Sequence, residues 1–154
     1  MEFRRANEKD IPALVENRLE FVQLIRKIEN IDNFREATVK YLEEHITKDD
    51  MVIILALDGN IIASICMACC FQTIPLPSCH SGHAAELLNV YTIAKYRRQG
   101  LAEQVLRLLV EELRTLKVEK VVLEATDMGA PLYKKLGFIS LNNQMKLEIG
   151  KLCK

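Results

Sequence analysis

Apolar residues recur along this chain with two different periods, and the changes of period mark its elements. Leu14, Val15, Leu19, Val22 and Ile25 fall three or four apart or adjacent, as on one face of a helix. Asp10 stands before that run as a helix cap, and Pro12 falls in the first turn, where its missing N–H costs little. A second helix is expected from Phe34 to His45, with Ala37, Tyr41 and Leu42 on one face. Glu2 to Arg5 reads as a short first strand. Met51 to Leu57 is an unbroken apolar run that stops at Asp58-Gly59-Asn60, and Ile61 to Phe71 resumes at once, so the two read as a hairpin. Pro75-Leu76-Pro77-Ser78 opens a loop that extends to about Gly82, and Ala84 to Thr92 is another long strand. Leu101 to Leu116 is the clearest helix, with Leu101, Val105, Leu108, Leu109, Glu112 and Leu116 along one stripe. Val121 to Ala125 is a short strand, Ala130 to Leu136 a short helix stopped by Gly137, and Met145 to Ile149 alternates as a last strand. The order β-α-α-β-β-β-α-β-α-β defines an α/β fold with a mixed sheet flanked by helices.

Composition narrows the function classes. The 154 residues suit one domain spanning 1–154, long enough to bury a core without disulfides or metals. Lys plus Arg equals Asp plus Glu at 21 each, so the net charge is zero and no general affinity for nucleic acid or anionic membrane is expected. The five cysteines are Cys66, Cys69, Cys70, Cys79 and Cys153. Their odd number, and the apolar run around three of them, point to buried free thiols. The N-terminal MEFRRANEKD is charged from its start and shows no signal peptide, and no apolar stretch reaches the ~20 residues of a membrane span, so a cytoplasmic protein is expected.

The chemistry concentrates where the strand ending at Thr92 gives way to the helix starting at Leu101. A helix N-terminus presents unpaired N–H groups and the positive end of a dipole, a setting that binds phosphate. Gly100 lets the backbone come close, Ala102 is small, and Arg97 and Arg98 add charge. A pyrophosphate would fit this turn. Neither a Gly-x-Gly-x-x-Gly nor a Gly-x4-Gly-Lys-Ser/Thr phosphate motif is present.

Arg97-Arg98-Gln99-Gly100-Leu101-Ala102 resembles the Gln/Arg-x-x-Gly-x-Gly/Ala signature of the GNAT acetyltransferases. Leu132-Tyr133-Lys134-Lys135-Leu136-Gly137-Phe138 is similar to the same family's Leu-Tyr-x3-Gly-Phe. The interval between the two, one long helix and one strand, also agrees. The resemblance covers about residues 1 to 150 and is strongest from Glu86 to Phe138. It implies the GNAT fold, acetyl-CoA as co-substrate, no metal, and a small-molecule or peptide amine as acceptor, with a homodimer as a further expectation. It also implies that backbone groups of Val90, Tyr91 and Thr92 bond the pantetheine arm and that the amides of Arg97, Arg98, Gln99, Gly100, Leu101 and Ala102 cradle the pyrophosphate.

Catalytic roles follow from the same resemblance. Tyr133 occupies the family's tyrosine position and is the expected acid for the leaving thiolate; the alternative is a tyrosine that only packs its helix. Glu86 is the expected base, placed like the general-base glutamate of the histone-acetyltransferase branch; the alternative is an edge-facing or salt-bridged strand residue. His80 and His83 are rival bases by residue type. Thr126 stands where many relatives carry a cofactor-contacting asparagine, and its shorter side chain weakens that contact. The acceptor groove is expected along Phe21 to His45 and Thr73 to His83. Cys79-His80-Ser81-Gly82-His83 holds metal-ligand types without a second pair at zinc spacing. Cys66 and Cys69 lie in a strand, unlike a redox pair at a helix start. Beside the enzyme reading stand a non-catalytic CoA-binding sensor or scaffold and a nucleotide-binding regulator.

Overall fold

The apolar runs of the hairpin are buried on both sides because helices cover both faces of the sheet. The computed structural model describes residues 1–151, so Cys153 lies outside the described residues. The chain divides into two compact units, Met1–Glu124 and the segment from Ala125 onward.

The first unit carries strands β1 (Glu2–Arg5), β2 (Met51–Asp58), β3 (Ile61–Gln72), β4 (His83–Thr92) and β5 (Lys120–Leu123), adjacent in that order. All neighbours run antiparallel except β4 and β5, which are parallel because helix α3 (Leu101–Thr115) intervenes. On one face, Met51, Ile53, Leu55 and Leu57 of β2 share a core with Leu14, Val15 and Leu19 of α1 (Ile11–Ile25) and Leu42 of α2 (Ile31–His45). Strand alternation sends Val52, Ile54 and Ala56 to the other face, which α3 covers. There the Cys66 thiol reaches the carbonyl of Val105 at 3.2 Å. Leu101, Val105, Leu106, Leu109 and Leu113 of α3 are buried, each side chain stabilising the fold by about 1.5–3 kcal/mol relative to exposure. The expected stripe is thus rotated: Leu106 and Leu113 face the sheet, and Leu108 is 42% exposed.

Two helix starts differ from expectation. The Asp10 side chain makes no cap bond to α1. Its carboxylate instead accepts two hydrogen bonds from Arg4, at 2.7 and 2.8 Å, and one from the Asn7 N–H at 2.8 Å. The Arg4 bonds hold that carboxyl below its usual value. Helix α2 begins at Ile31, earlier than Phe34, because the Asn30 side chain accepts from the N–H of Asn33 at 3.0 Å.

Strand β4 departs from regular pairing with β3 at one position. Met67 pairs with Asn89 while Ala68 pairs with Leu87, so Leu88 is an extra residue, a β-bulge. A regular strand would place Glu86 and Asn89 on opposite faces. The bulge shifts the phase by one residue, so Glu86, opposite Cys69, and Asn89, opposite Met67, both point towards α1 and α2.

The second unit holds α4 (Ala130–Lys135), with Pro131 in its first turn. Met145 to Ile149 forms no strand; a 3-10 turn spans Ile149–Lys151 instead. Met145 is 99% exposed, and the described residues offer the segment no ladder partner, so its alternation alone does not make a strand.

Candidate functional site

The bulge gathers polar groups between β4 and the helices above it. Asn89 is fully buried, and its Nδ2 lies 3.5 Å from Oδ1 of Asn17 on α1. Nη1 of Arg18 donates to the carbonyl of Leu88 and to Oδ1 of Asn89, both at 3.1 Å. One guanidinium therefore ties α1 to the bulged residue and its neighbour. Burial pushes the Arg18 pKa below the usual arginine value, although arginine stays charged. The Tyr91 hydroxyl donates to Oε1 of Glu20 at 2.7 Å, and its ring packs against Phe21. Glu86 is half-buried on this same face.

Beyond the bulge, β4 has an open edge. Its pairing with β5 ends at Leu87, and no other described strand pairs that side. The N–H of Ile93 bonds the carbonyl of Ala63, near the start of β3, at 3.1 Å. By alternation the backbone of Tyr91 also faces β3, while the N–H and C=O groups of Val90 and Thr92 point to the open edge. Of the three backbones expected to bond the pantetheine arm, two are therefore directed outward, and Tyr91 contributes its buried side chain instead. The open edge runs from Thr92 to the bulge at Leu88.

At the Thr92 end lies the expected phosphate turn. Ala94–Tyr96 forms a 3-10 turn, anchored where the Tyr96 hydroxyl donates to Asp58 at 2.5 Å. Tyr96 and Leu101 pack together with Ala63. Nε of Arg97 donates to the carbonyl of Thr92 at 3.0 Å, which holds this cation beside the open edge. Arg98 and Gly100 both take positive φ, 61° and 75°, and curl the chain into α3. Gly100 gives the helix no side-chain cap, so the first N–H groups of α3 stay available to a ligand. Arg97, Arg98, Gln99 and Gly100 are exposed, and Leu101 is buried as the anchor. This is the donor chemistry a pyrophosphate requires.

A cavity of about 440 Å³ opens on the α1 and α2 face, lined in part by Arg18, Tyr41, Met67, Cys69 and Leu88. The Tyr41 hydroxyl donates to the Cys69 sulfur at 3.4 Å. Of the residues expected along an acceptor groove, Phe34, Ala37, Thr38, Tyr41 and Leu42 of α2 line this cavity, and none of Thr73 to His83 does.

Tyr133 belongs to the second unit. Its ring meets Phe138 edge-on at 5.7 Å, and the Phe138 N–H bonds its carbonyl at 3.0 Å. A Cβ on Gly129 would come within 3.0 Å of the ring, so that glycine makes room for the tyrosine. Oγ1 of Thr126 accepts from the Gly129 N–H at 3.2 Å, which stabilises the turn into α4.

The remaining candidates separate by position. His83 pairs with Gln72 and points to the α3 face, away from Glu86. His80 is exposed in the loop. Cys66 and Cys69 lie on opposite faces of β3, which excludes a redox pair between them in this arrangement. Among the described residues no group of three or more His, Cys, Asp or Glu could hold a metal. Arg18, Asn17 and Asn89 were missed by sequence reasoning. The available signal was Asn-Arg on an apolar helical face and a lone Asn inside a long strand.

The fold, a five-stranded mixed sheet flanked by helices, defines the class of architecture, and the comparisons make it specific. The model of the Acetyltransferase (GNAT) family matches residues 19–138. The chain belongs to the GNAT acetyltransferase family. A Clostridium acetobutylicum protein described as a predicted acetyltransferase, solved with acetyl-CoA, is similar at 23% identity and TM-score 0.88, over 98% of this chain and 97% of that one. A GCN5-related N-acetyltransferase from Ralstonia eutropha JMP134 is 20% identical with TM-score 0.84, over 97% and 98%. Glucosamine-6-phosphate N-acetyltransferase from Arabidopsis thaliana is 18% identical with TM-score 0.71, over 96% and 97%. At these identities the likeness is one of fold. A comparison with curated protein sequences found no match.

Proposed function

We propose that this protein transfers the acetyl group of acetyl-CoA to a primary amine by direct attack, acting as one functional domain across both units. The observation that carries the reading is the open edge of β4, which leads from the uncapped start of α3 to the bulge beside Glu86. The residues fit the co-substrate. The amides from Arg97 to Ala102, with the two arginines, would hold the pyrophosphate, and the outward backbone groups of Thr92 and Val90 would bond an extended pantetheine arm. Such an arm would bring its thioester to the bulge. Glu86 takes a proton from the attacking amine, the nitrogen bonds the carbonyl carbon, and the C–S bond breaks with its electron pair going to sulfur. Tyr133 returns a proton to that sulfur, a role supported by its place in Leu132-Tyr133-x3-Gly137-Phe138. Cytoplasmic action is part of the proposal, supported by the free thiols of Cys66, Cys69, Cys70 and Cys79, which suit a reducing compartment. No helix among the described residues is long and apolar enough to cross a membrane.

The test is free-thiol release from acetyl-CoA across a panel of amines. Release that depends on the amine supports transfer; CoA binding without release from any amine would make the protein a CoA-binding module.

Tyr133→Phe keeps the ring edge on Phe138 and removes only the hydroxyl. Because a thiol has a pKa near 8.5, its thiolate leaves partly unaided, so turnover is expected to fall roughly ten- to a thousandfold. CoA affinity, measured by calorimetry on the same variant, should change little. Equal losses in both would make Tyr133 a packing residue.

A further inference from the structure

The cavity beside the bulge carries one full charge, and it is positive. Arg18 lines it together with an apolar wall of Phe34, Leu42, Met51, Met67 and Leu88, and no acidic residue lines it. Only Nη1 of the guanidinium is engaged, on the Leu88 carbonyl and Asn89; Nε and Nη2 make no hydrogen bond among the described residues. No carboxylate among them lies within ion-pair distance of Arg18. A half-buried cation in apolar surroundings loses hydration that only an anion or further acceptors restore. The free side of its fork has the geometry for a carboxylate.

We propose that this cavity takes a free α-amino acid with an apolar side chain, its carboxylate on Arg18 and its amine presented at the bulge. The inference rests on the acetyl-transfer reading, which brings the thioester to Leu88. Arg18 bonds Leu88 itself, so the anion it binds must sit only a few bonds from the reacting nitrogen. In an α-amino acid the carboxylate and the amine share one carbon. Glu86 faces the same side and is the acceptor for the amine's proton. The apolar wall receives the side chain, and about 440 Å³ lies in the lower part of the range for small-ligand sites. A polyamine or another polycation would meet Arg18 with no lining carboxylate to offset it.

The experiment compares kcat/KM for leucine, methionine and phenylalanine with their primary amides and decarboxylated amines, in the wild-type protein, Arg18→Gln and Arg18→Lys. The wild type is expected to prefer each free acid by about thirtyfold or more, the effect of leaving a buried charge partner unmatched. Arg18→Gln should bring that ratio to within about threefold of one, and Arg18→Lys should retain part of it. A wild-type ratio near one overturns the proposal, as does an Arg18→Gln variant that loses activity equally on all three substrate forms, since Arg18 would then only brace the bulge. Calorimetry of the same amino acids in the presence of CoA separates the two readings. Arg18-dependent binding without any acetylation would remove acetyl transfer and keep the site. Acetylation of other amines, with neither binding nor acetylation of apolar amino acids, would remove the site and keep acetyl transfer.

Discussion

Replacing Glu86 with glutamine is expected to lower turnover by about 10²- to 10⁴-fold, the usual cost of losing a general base. The substitution is nearly isosteric, so the pairing with Cys69 and the bulge at Leu88 should persist. CoA affinity should therefore stay close to that of the wild type. His83→Ala is the matched comparison. That histidine stands on the opposite face of β4, so its loss should leave turnover in place. Wild-type turnover in Glu86→Gln would remove Glu86 from the mechanism. A comparable loss of turnover in His83→Ala, with CoA affinity kept, would move the base to the histidine.

Gly100→Val should weaken CoA binding by ten- to several-hundredfold. Sequence reasoning expects this from a side chain intruding on the pyrophosphate. The backbone adds a second cause. A Cβ at Gly100 would meet only the end of the Gln104 side chain among the protein atoms, at 3.9 Å, so the protein itself leaves it room. With φ at 75°, an L-residue pays about 1–2 kcal/mol, and a β-branched one more. A turn that relaxes to escape this strain redirects the first N–H groups of α3, and each hydrogen bond lost to a charged ligand costs a further ~1.5–3 kcal/mol. Isothermal calorimetry with CoA, beside a thermal melt to confirm folding, makes the measurement. A folded variant with unchanged affinity would show that the turn does not hold the phosphates. Gly100→Ala should fall between the two, because it carries the same φ penalty without the β-branch.

What could be read from the sequence has a common physical basis. The hairpin from Met51 to Gln72, helix α3, and the Arg97 to Ala102 turn each depend on residues within a few positions of one another: a period, a turn, a glycine. The family likewise follows from two short motifs. Errors fell where a second partner decides. Asp10 had the chemistry of a cap but bonds Arg4 instead, and Met145 to Ile149 had strand alternation but no neighbour among the described residues. The stripe of α3 rotated towards Leu106 and Leu113 because burial depends on the sheet it meets, not on its own period.

The site divides the same way. Glu86, Val90, Thr92 and the Arg97 to Ala102 turn could be proposed as site residues from the family resemblance, because its motifs fix positions along the chain. Which way they point could not. A single unpaired residue, Leu88, sets the face on which Glu86 and Asn89 stand together, and that bulge exists only in the register between β3 and β4. Arg18 enters the site through a hydrogen bond to Leu88, 70 positions away along the chain. Local propensity contains no information about such a pairing. It is decided when the helix closes over the sheet and the half-buried guanidinium must find acceptors, so the anchor of the cavity belongs to the tertiary structure alone.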